Sequence, residues 1–110
     1  MNKLSDALIS GNAYKIFVCE LFQHLNRAQK VFQGPDALPS VEDAKTVGRN
    51  FHTIRGGAGF FGLEEMTSAA REIETMLLKA EGSMTEKIDT IRRLLKKIEA
   101  LAKDLPPPKV

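Results

Sequence analysis

Cysteine is almost missing from this sequence of 110 residues, in which Cys19 is the single example. One thiol excludes an internal disulfide and is typical of a reducing compartment, so we expect a cytoplasmic location. The two histidines, His24 and His52, do not cluster with the cysteine or with each other. Metal sites in proteins need several such ligands close together, so we expect no bound metal.

Long apolar runs and an excess of one charge are missing as well. No apolar stretch approaches about 18 residues, so we expect no membrane insertion. The 16 basic and 14 acidic side chains are well mixed and give a net charge of +2. A nucleic-acid-binding domain would show a concentrated basic face, so we expect no nucleic-acid partner. A phosphate-binding loop of the Gly-x-x-x-x-Gly-Lys-Ser/Thr type does not occur, and we expect no cofactor.

Apolar residues recur at three- and four-residue spacing in four segments, which is typical of amphipathic helices. This pattern predicts helices over residues 13–32, 41–60 or 61, 63–80 and 84–103, with a short extra helix or a frayed arm at the N-terminus. No segment shows the alternation of a β-strand. Short connections between four helices favour an all-α fold, an antiparallel up-and-down four-helix bundle.

The single domain is expected to span residues 1–105. The prolines at 106–108 cannot continue a helix, so residues 106–110 are interpreted as a proline-rich tail or the start of a linker. The apolar stripe of each helix predicts its buried face. In the first long helix this stripe is Ile16, Phe17, Leu21, Leu25, Ala28 and Phe32, and in the second it is Val47, Phe51, Ile54, Ala58 and Phe61.

Glycines at positions 56, 57 and 59 lie within the second long helix, where each destabilises the helix by about 1 kcal/mol relative to alanine. On a helical wheel His52, Gly56 and Gly59 share a sector beside the buried stripe, so the imidazole should stand clear of the surface. Bare backbone next to the imidazole leaves room for another protein to approach. Gly57 lies elsewhere on the wheel and is expected to let a neighbouring helix approach.

The residues from His52 to Gly62 resemble the signature of the histidine phosphotransfer (HPt) family. That signature is His-x-x-Lys-Gly, followed by small residues, an apolar pair and a glycine. The Gly-Gly-Ala-Gly run and the Phe-Gly end look most similar to the amino-terminal phosphotransfer domain of CheA-type chemotaxis histidine kinases. Arg55 replaces the family's lysine, and Arg71 stands where chemotaxis kinases often carry a second histidine. The specific resemblance covers about residues 45–80.

The resemblance implies a function as a phosphorelay intermediate in two-component or chemotaxis signalling. An ATP-bound histidine kinase catalytic domain, in cis or in trans, would phosphorylate His52 on the ring nitrogen distal to the backbone. The aspartate of a response-regulator receiver domain would then take the group. A chain of this kind has no complete active site of its own, and it is either a free-standing carrier or a segment of a histidine kinase.

The resemblance also implies roles for individual residues. Glu74, 22 residues after His52, matches a family glutamate and is expected to orient the imidazole through one ring nitrogen. Arg55 is expected to contact the phosphoryl group. We expect Glu74→Ala to lower the reactivity of the imidazole without unfolding the bundle, because an exposed helical glutamate contributes little stability. The residues expected to dock partners are Gly56, Gly59, Phe60, Arg49 and Arg71. Phe60 is either such a docking contact or a second edge of the core.

Two alternatives to the carrier function remain open. The first is a helical protein-interaction module that is never phosphorylated and grips a partner helix in its glycine groove. The second is a protein that binds phosphate-rich ligands through Arg49, Arg55 and Arg71. Only the carrier function requires the imidazole of His52.

Overall fold

The computed structural model describes residues 4–33, 38–79 and 82–108. Within these ranges the chain forms five helices and no β-strand, so the prediction of an all-α fold with a short extra N-terminal helix is confirmed. The helices are α1 (Asp6–Ile9), α2 (Asn12–Phe32), α3 (Val41–Phe60), α4 (Glu64–Leu78) and α5 (Met84–Lys103). The predicted end of α4, at residue 80, lies outside the described residues.

Two serine side chains and one glycine define the start of α3, the end of α3 and the start of α5. Ser40 Oγ accepts a hydrogen bond from the Asp43 amide at 3.1 Å and begins α3. Ser83 Oγ accepts one from the Glu86 amide at 3.3 Å and begins α5 in the same way. Gly62 has a φ of +72°, a left-handed conformation that ends α3 and turns the chain back into α4.

Contacts along α2, α3 and α4 show that successive helices run in opposite directions. The ring of Tyr14, near the start of α2, lies 5.4 Å from that of Phe61, just beyond the end of α3. Gly48 near the start of α3 lies beside Leu78 at the end of α4, and Gly59 near the end of α3 lies beside Thr67 near the start of α4. Both helix pairs are therefore antiparallel.

The helix α5 returns to α2 and closes the bundle. Lys87 Nζ near the start of α5 donates to the Met76 carbonyl near the end of α4 at 3.0 Å. Arg92 Nε donates to the Phe32 carbonyl at the end of α2 at 2.8 Å. The hydroxyl of Tyr14 donates to the carbonyl of Pro106, beyond the end of α5, at 2.5 Å. These contacts confirm the antiparallel up-and-down four-helix bundle.

The core confirms the predicted stripe of α3, whose five residues are all buried, but it corrects the stripe of α2. Ile16 was predicted to be buried and is 58% exposed, whereas Tyr14 is fully buried. The inward face of α2 runs from Tyr14 through Phe17, and Ile16 lies about 100° away from Phe17 on the helix. Burial raises the pKa of the Tyr14 hydroxyl. That hydroxyl is satisfied by Pro106, which allows a polar group to lie inside the bundle.

The neighbouring glycines of α3 have different packing roles. A Cβ atom at Gly57 would lie 2.5 Å from Cδ1 of Phe17 in α2, so the prediction that Gly57 admits a neighbouring helix is confirmed. A Cβ atom at Gly56 would have no atom of the described chain within 4 Å. Packing within the bundle therefore requires a glycine at position 57 but not at position 56.

None of the helices in the described ranges combines the length and the apolar character needed to cross a membrane.

The two glycines provide a matched test of this packing. Gly57→Ala should lower the free energy of unfolding by about 1–2 kcal/mol, because overpacking outweighs the gain in helix propensity. Gly56→Ala should leave it unchanged or raise it by up to about 1 kcal/mol through propensity alone. Urea denaturation followed by circular dichroism measures both values. Equal effects of the two substitutions would contradict the packing assigned to Phe17.

Candidate functional site

His52 projects from the middle of α3 into solvent, as the helical wheel predicted. Its side chain is 62% exposed, although its neighbours Phe51 and Ile54 are fully or almost fully buried. The buried stripe holds α3 against the bundle, so the backbone that carries the imidazole is fixed. Packing on one side of α3 therefore fixes the position of His52, and the imidazole is accessible to partners from the other side.

Glu74 reaches His52 from the adjacent helix α4. Its Oε2 atom lies 2.6 Å from Nδ1 of His52. Glu74 is the only buried charged residue among the described residues, with a side chain that is 10% exposed. The expectation that it is an exposed helical glutamate is therefore wrong, because the α3–α4 contact covers it. The neighbouring Glu72 is exposed.

Arg55 binds the same carboxylate from α3. Its Nε donates to Oε1 of Glu74 at 2.7 Å, and its Nη2 lies 3.0 Å from Nδ1 of His52. The sequence had suggested only a contact between this side chain and a phosphoryl group. Spacing on α3 places Arg55 one turn from His52 but does not reveal the bond to Glu74, which depends on how α3 and α4 pack together.

The charge of Glu74 determines which nitrogen of His52 is available. Burial raises the pKa of the Glu74 carboxyl, but hydrogen bonds from Arg55 and His52, together with their charges, outweigh burial, so the pKa lies below its usual value of 4.5. An ionised carboxylate only accepts hydrogen bonds, so Nδ1 must carry the proton it shares with Oε2. The neighbouring Nη2 of Arg55 is also a donor, so it cannot form a hydrogen bond with the protonated Nδ1 although it lies 3.0 Å away.

The distal nitrogen Nε2 of His52 is left with its lone pair. None of the other residues in the described ranges forms a hydrogen bond with it. A neutral imidazole with a free lone pair is a good nucleophile near neutral pH. The arrangement thus presents an oriented nucleophile to whatever approaches α3 from solvent.

This geometry agrees with the comparison to known families. The model of the Hpt domain family matches residues 13–104, which is most of the chain. The chain belongs to the Hpt domain family. Hpt domains act in the phosphorelays of two-component signalling, where they interact with histidine kinases and response regulators. No curated protein and no solved structure matches this chain significantly.

The surface of this Hpt domain around His52 is an exposed ridge of α3. His52, Gly56 and Phe60 occupy positions i, i+4 and i+8, which form one row along a helix. Phe60 is 74% exposed, and the absent side chain at Gly56 leaves a notch between it and the imidazole. A Cβ atom at Gly59 would make only ordinary contact with Thr67, 3.9 Å away.

The two other arginines predicted to dock partners lie near this ridge without joining the His52 contacts. Arg49 is exposed on α3, one turn before His52, and its Nη2 donates to Thr46 Oγ1 at 3.4 Å. Arg71 is exposed on α4, one turn before Glu74. The structure thus brings together His52, Glu74 and Arg55 as one cluster and leaves Arg49 and Arg71 at its margin.

A groove of about 390 Å³ flanks the ridge on its α2 side. Ile16 and Phe60 contribute exposed apolar surface to it, and His24 lies along its wall. Burial lowers the pKa of His24, as does the charge of Arg27, while Glu20 acts in the opposite direction. Sequence reasoning missed this groove because it assigned Ile16 to the core.

In the described ranges, no three metal-ligating side chains gather into a group that could hold an ion.

The lowered pKa of Glu74 predicts how stability depends on pH. A carboxyl group whose pKa is lower in the folded than in the unfolded chain stabilises the fold fully above its unfolded value of 4.5, and this stabilisation is lost as the pH falls through the folded value. Glu74→Gln should therefore be less stable than the wild type at neutral pH, by about 1–3 kcal/mol. The difference should shrink below pH 4.5.

Urea denaturation at a series of pH values measures this difference, and Glu72→Gln is the matched control on the exposed face of α4. If the two variants show the same pH dependence relative to the wild type, the assigned ionisation of Glu74 is wrong.

Proposed function

We propose that Nε2 of His52 carries a phosphoryl group from an ATP-bound histidine kinase catalytic domain to the aspartate of a response-regulator receiver domain. The observation that carries this proposal is that the two ring nitrogens of His52 have different surroundings. Nδ1 is bound to the buried Glu74 at 2.6 Å, while the exposed Nε2 has no partner in the described part of the chain. Such a ring can react only from its solvent side.

The first step forms the bond between Nε2 and phosphorus. The lone pair of Nε2 attacks the γ-phosphorus of ATP, and the bond from that phosphorus to the bridging oxygen breaks, with its electron pair leaving on ADP. Positive charge develops on the ring as this bond forms. Glu74 stabilises that charge through the Nδ1 proton, as a carboxylate does for the histidine of a catalytic triad. No proton has to move in this step.

The second step returns the ring to its starting form. A carboxylate oxygen of the receiver aspartate attacks phosphorus in line, and the bond between phosphorus and Nε2 breaks, with its electron pair returning to Nε2. The neutral ring keeps its proton on Nδ1. The Hpt domain contributes orientation and charge, while nucleotide binding and the acceptor carboxylate belong to its partners.

Arg55 supplies positive charge where the phosphoryl group is carried. Its guanidinium lies alongside the imidazole, with Nη2 at 3.0 Å from Nδ1. Nε is occupied by Glu74, so the terminal nitrogens are the ones proposed to contact phosphoryl oxygens. Arg55 is partly exposed, which leaves its outer edge open to an anion on the ring.

Partners are proposed to dock along the ridge of α3. Gly56 and Gly59 let a partner backbone approach close to the imidazole, and Phe60 supplies an exposed aromatic contact two turns away. Arg49 and Arg71 add positive charge at the margin, which suits the negatively charged phosphoryl group and the acceptor carboxylate.

The proposed context is chemotaxis signalling in the cytoplasm, with the domain either free-standing or part of a CheA-type kinase. The glycine run and the Phe-Gly end of α3 support this type. The proposed domain spans residues 1–105, and residues 106–110 form a tail or linker start. The bond from Tyr14 to the carbonyl of Pro106 ties the first proline to the bundle, which suits a boundary at this point.

Replacement of the imidazole tests the carrier function. Phosphoramidate, a small phosphoryl donor, should phosphorylate the wild type and His24→Gln equally, and His52→Gln should take up no label because it lacks the nucleophile. Intact-protein mass spectrometry measures uptake, and incubation with ATP and a chemotaxis-type kinase catalytic domain repeats the comparison with the enzymatic donor.

Equal labelling of the wild type and His52→Gln would contradict the carrier function and favour the interaction module. The same conclusion would follow if neither donor labelled either protein. Binding of phosphate-rich ligands that survives His52→Gln would favour the third alternative instead.

The ridge is tested by shortening its aromatic residue. Phe60→Ala should slow transfer from phosphorylated protein to a chemotaxis-type receiver domain about tenfold, since truncating an aromatic interface contact costs about 1–2 kcal/mol. Its stability should change little, because Phe60 is largely exposed. Rapid-quench measurements of transfer provide the rate constants.

Val41→Ala is the matched control for Phe60→Ala, since Val41 is 70% exposed on the same helix but lies at the opposite end. Equal transfer rates for the two variants would remove Phe60 from the docking surface.

A further inference from the structure

A second groove lies at the end of the bundle where α4 begins and α5 ends, and we call it the α4–α5 groove. Its volume is about 560 Å³, and ligand-binding clefts typically measure about 300–1,000 Å³. Three parts of the chain form its walls: the segment before α1, the start of α4 and the segment around the end of α5. The apolar residues that line it are Leu4, Leu63, Met66, Leu101, Leu105 and Pro106.

Three carboxylates line the same groove. They belong to Glu64, Glu65 and Asp104, and all three residues are exposed. Among the described residues, none of these three side chains forms an ion pair or a hydrogen bond. Lys103 is next to Asp104 in sequence, but its Nζ lies 3.8 Å from Oε1 of Glu99 instead. The groove thus combines an apolar lining with negative charge that the described chain does not pair.

Helix stability explains only part of this charge. Glu64 and Glu65 lie in the first turn of α4, where the free backbone N–H groups make negative charge favourable. Asp104 is the C-cap residue of α5, at a helix end that favours cations instead. Attraction of a cationic partner gives the Asp104 carboxylate a function that the stability of α5 does not.

Backbone hydrogen bonds hold two walls of the groove in place. The carbonyl of Pro106 accepts a hydrogen bond from the buried hydroxyl of Tyr14 at 2.5 Å. The amide of Leu63 donates to the carbonyl of Ala58 at 2.9 Å, which fixes the start of α4 against the end of α3. A preformed groove loses little conformational entropy when it binds a partner.

We propose that the α4–α5 groove binds a basic amphipathic segment of a partner protein. Apolar side chains of that segment contact the apolar lining, as in other helix-in-groove complexes, and its lysines or arginines pair with Glu64, Glu65 and Asp104.

Charge complementarity selects this partner. Nucleic acids and anionic lipid surfaces carry charge of the same sign as the groove and are repelled by it. A wholly apolar segment would cover the three carboxylates without pairing them, which is unfavourable.

The proposed site is separate from the ridge of α3 that carries His52. Met66 precedes Glu74 by about two turns of α4, or about 12 Å along the helix axis. The inference therefore goes beyond the carrier function and does not rest on it.

The test uses the full-length protein and three synthetic helical peptides. The first has leucines along one face, flanked by lysines. Glutamates replace the lysines in the second peptide, and serines replace the leucines in the third. Fluorescence anisotropy of the labelled peptides gives dissociation constants, and amide chemical shifts in NMR spectra of the protein locate the surface that binds.

The lysine–leucine peptide should bind at least about tenfold more tightly than either of the other two, with the largest shifts at residues of the α4–α5 groove. The triple variant Glu64→Gln/Glu65→Gln/Asp104→Asn should bind this peptide about tenfold more weakly than the wild type, because the opposing charges are lost.

The triple variant Glu42→Gln/Glu72→Gln/Asp89→Asn is the matched control. It removes the same number of exposed carboxylates from α3, α4 and α5, away from the groove. Its affinity should stay within about twofold of the wild type, because salt screens distant surface charges. Circular dichroism establishes that both triple variants keep the fold.

Equal affinities for the lysine–leucine and glutamate–leucine peptides would overturn the proposal, and so would equal weakening in the two triple variants. Chemical-shift changes centred on the groove beside Phe60 would also overturn it, because the peptide would then bind elsewhere. Phosphorylation of His52 plays no part in these measurements, so they stand or fall independently of the carrier function.

Discussion

The hydrogen bond between Nδ1 of His52 and Oε2 of Glu74 determines what this Hpt domain can do with its imidazole. It joins α3 to α4 and sets which nitrogen keeps a free lone pair. Because the carboxylate lies between two packed helices, the bond has little freedom to rearrange. The rest of the structure can be understood as the means of holding these two groups in place while one side of the ring stays open.

Close packing of α3 and α4 is the first of these means. Gly48 lies against Leu78 and Gly59 lies near Thr67, so small residues occur at both ends of the contact. A Cβ atom at Gly48 would lie only 2.8 Å from Leu78, so a larger residue would force the helices or the leucine to move. Since His52 and Glu74 belong to different helices, such a movement would change their separation directly.

Charge compensation is the second means of holding His52 and Glu74 in place. A carboxylate taken out of water is destabilised unless it is paired and hydrogen-bonded. Glu74 has one bond from Arg55 and one from His52, and these contacts hold its pKa below the usual value despite burial. These two contacts thus offset the cost of burying the charged carboxylate, which would otherwise favour its protonation. The same contacts orient the ring.

Helical periodicity was enough to predict much of this arrangement. It placed His52 beside the buried stripe of α3 and separated Gly57, which contacts Phe17, from Gly56, which contacts nothing in the described chain. These properties depend on position along one helix, and a wheel describes them well. The caps at Ser40 and Ser83 are local in the same way, since the residues that form them are neighbours in sequence.

The features that sequence could not predict depend on contacts between distant segments. Arg55 has a long side chain that can reach either an anion on His52 or the carboxylate of Glu74, and only the packing of α3 on α4 selects the carboxylate. Tyr14 is buried in the core because its hydroxyl meets the carbonyl of Pro106, at the other end of the chain. Hydropathy alone placed Ile16 in the core. The groove that Ile16 and Phe60 line was therefore not predicted.

The role of the bond between His52 and Glu74 is best tested by identifying the nitrogen that carries phosphorus. After phosphorylation of uniformly ¹⁵N-labelled protein, ¹⁵N–³¹P correlation NMR detects the bond between the two nuclei. We expect a single phosphorus bonded to Nε2 of His52, because Glu74 holds Nδ1 at 2.6 Å. Phosphorus on Nδ1 of His52, or on His24, would contradict this expectation.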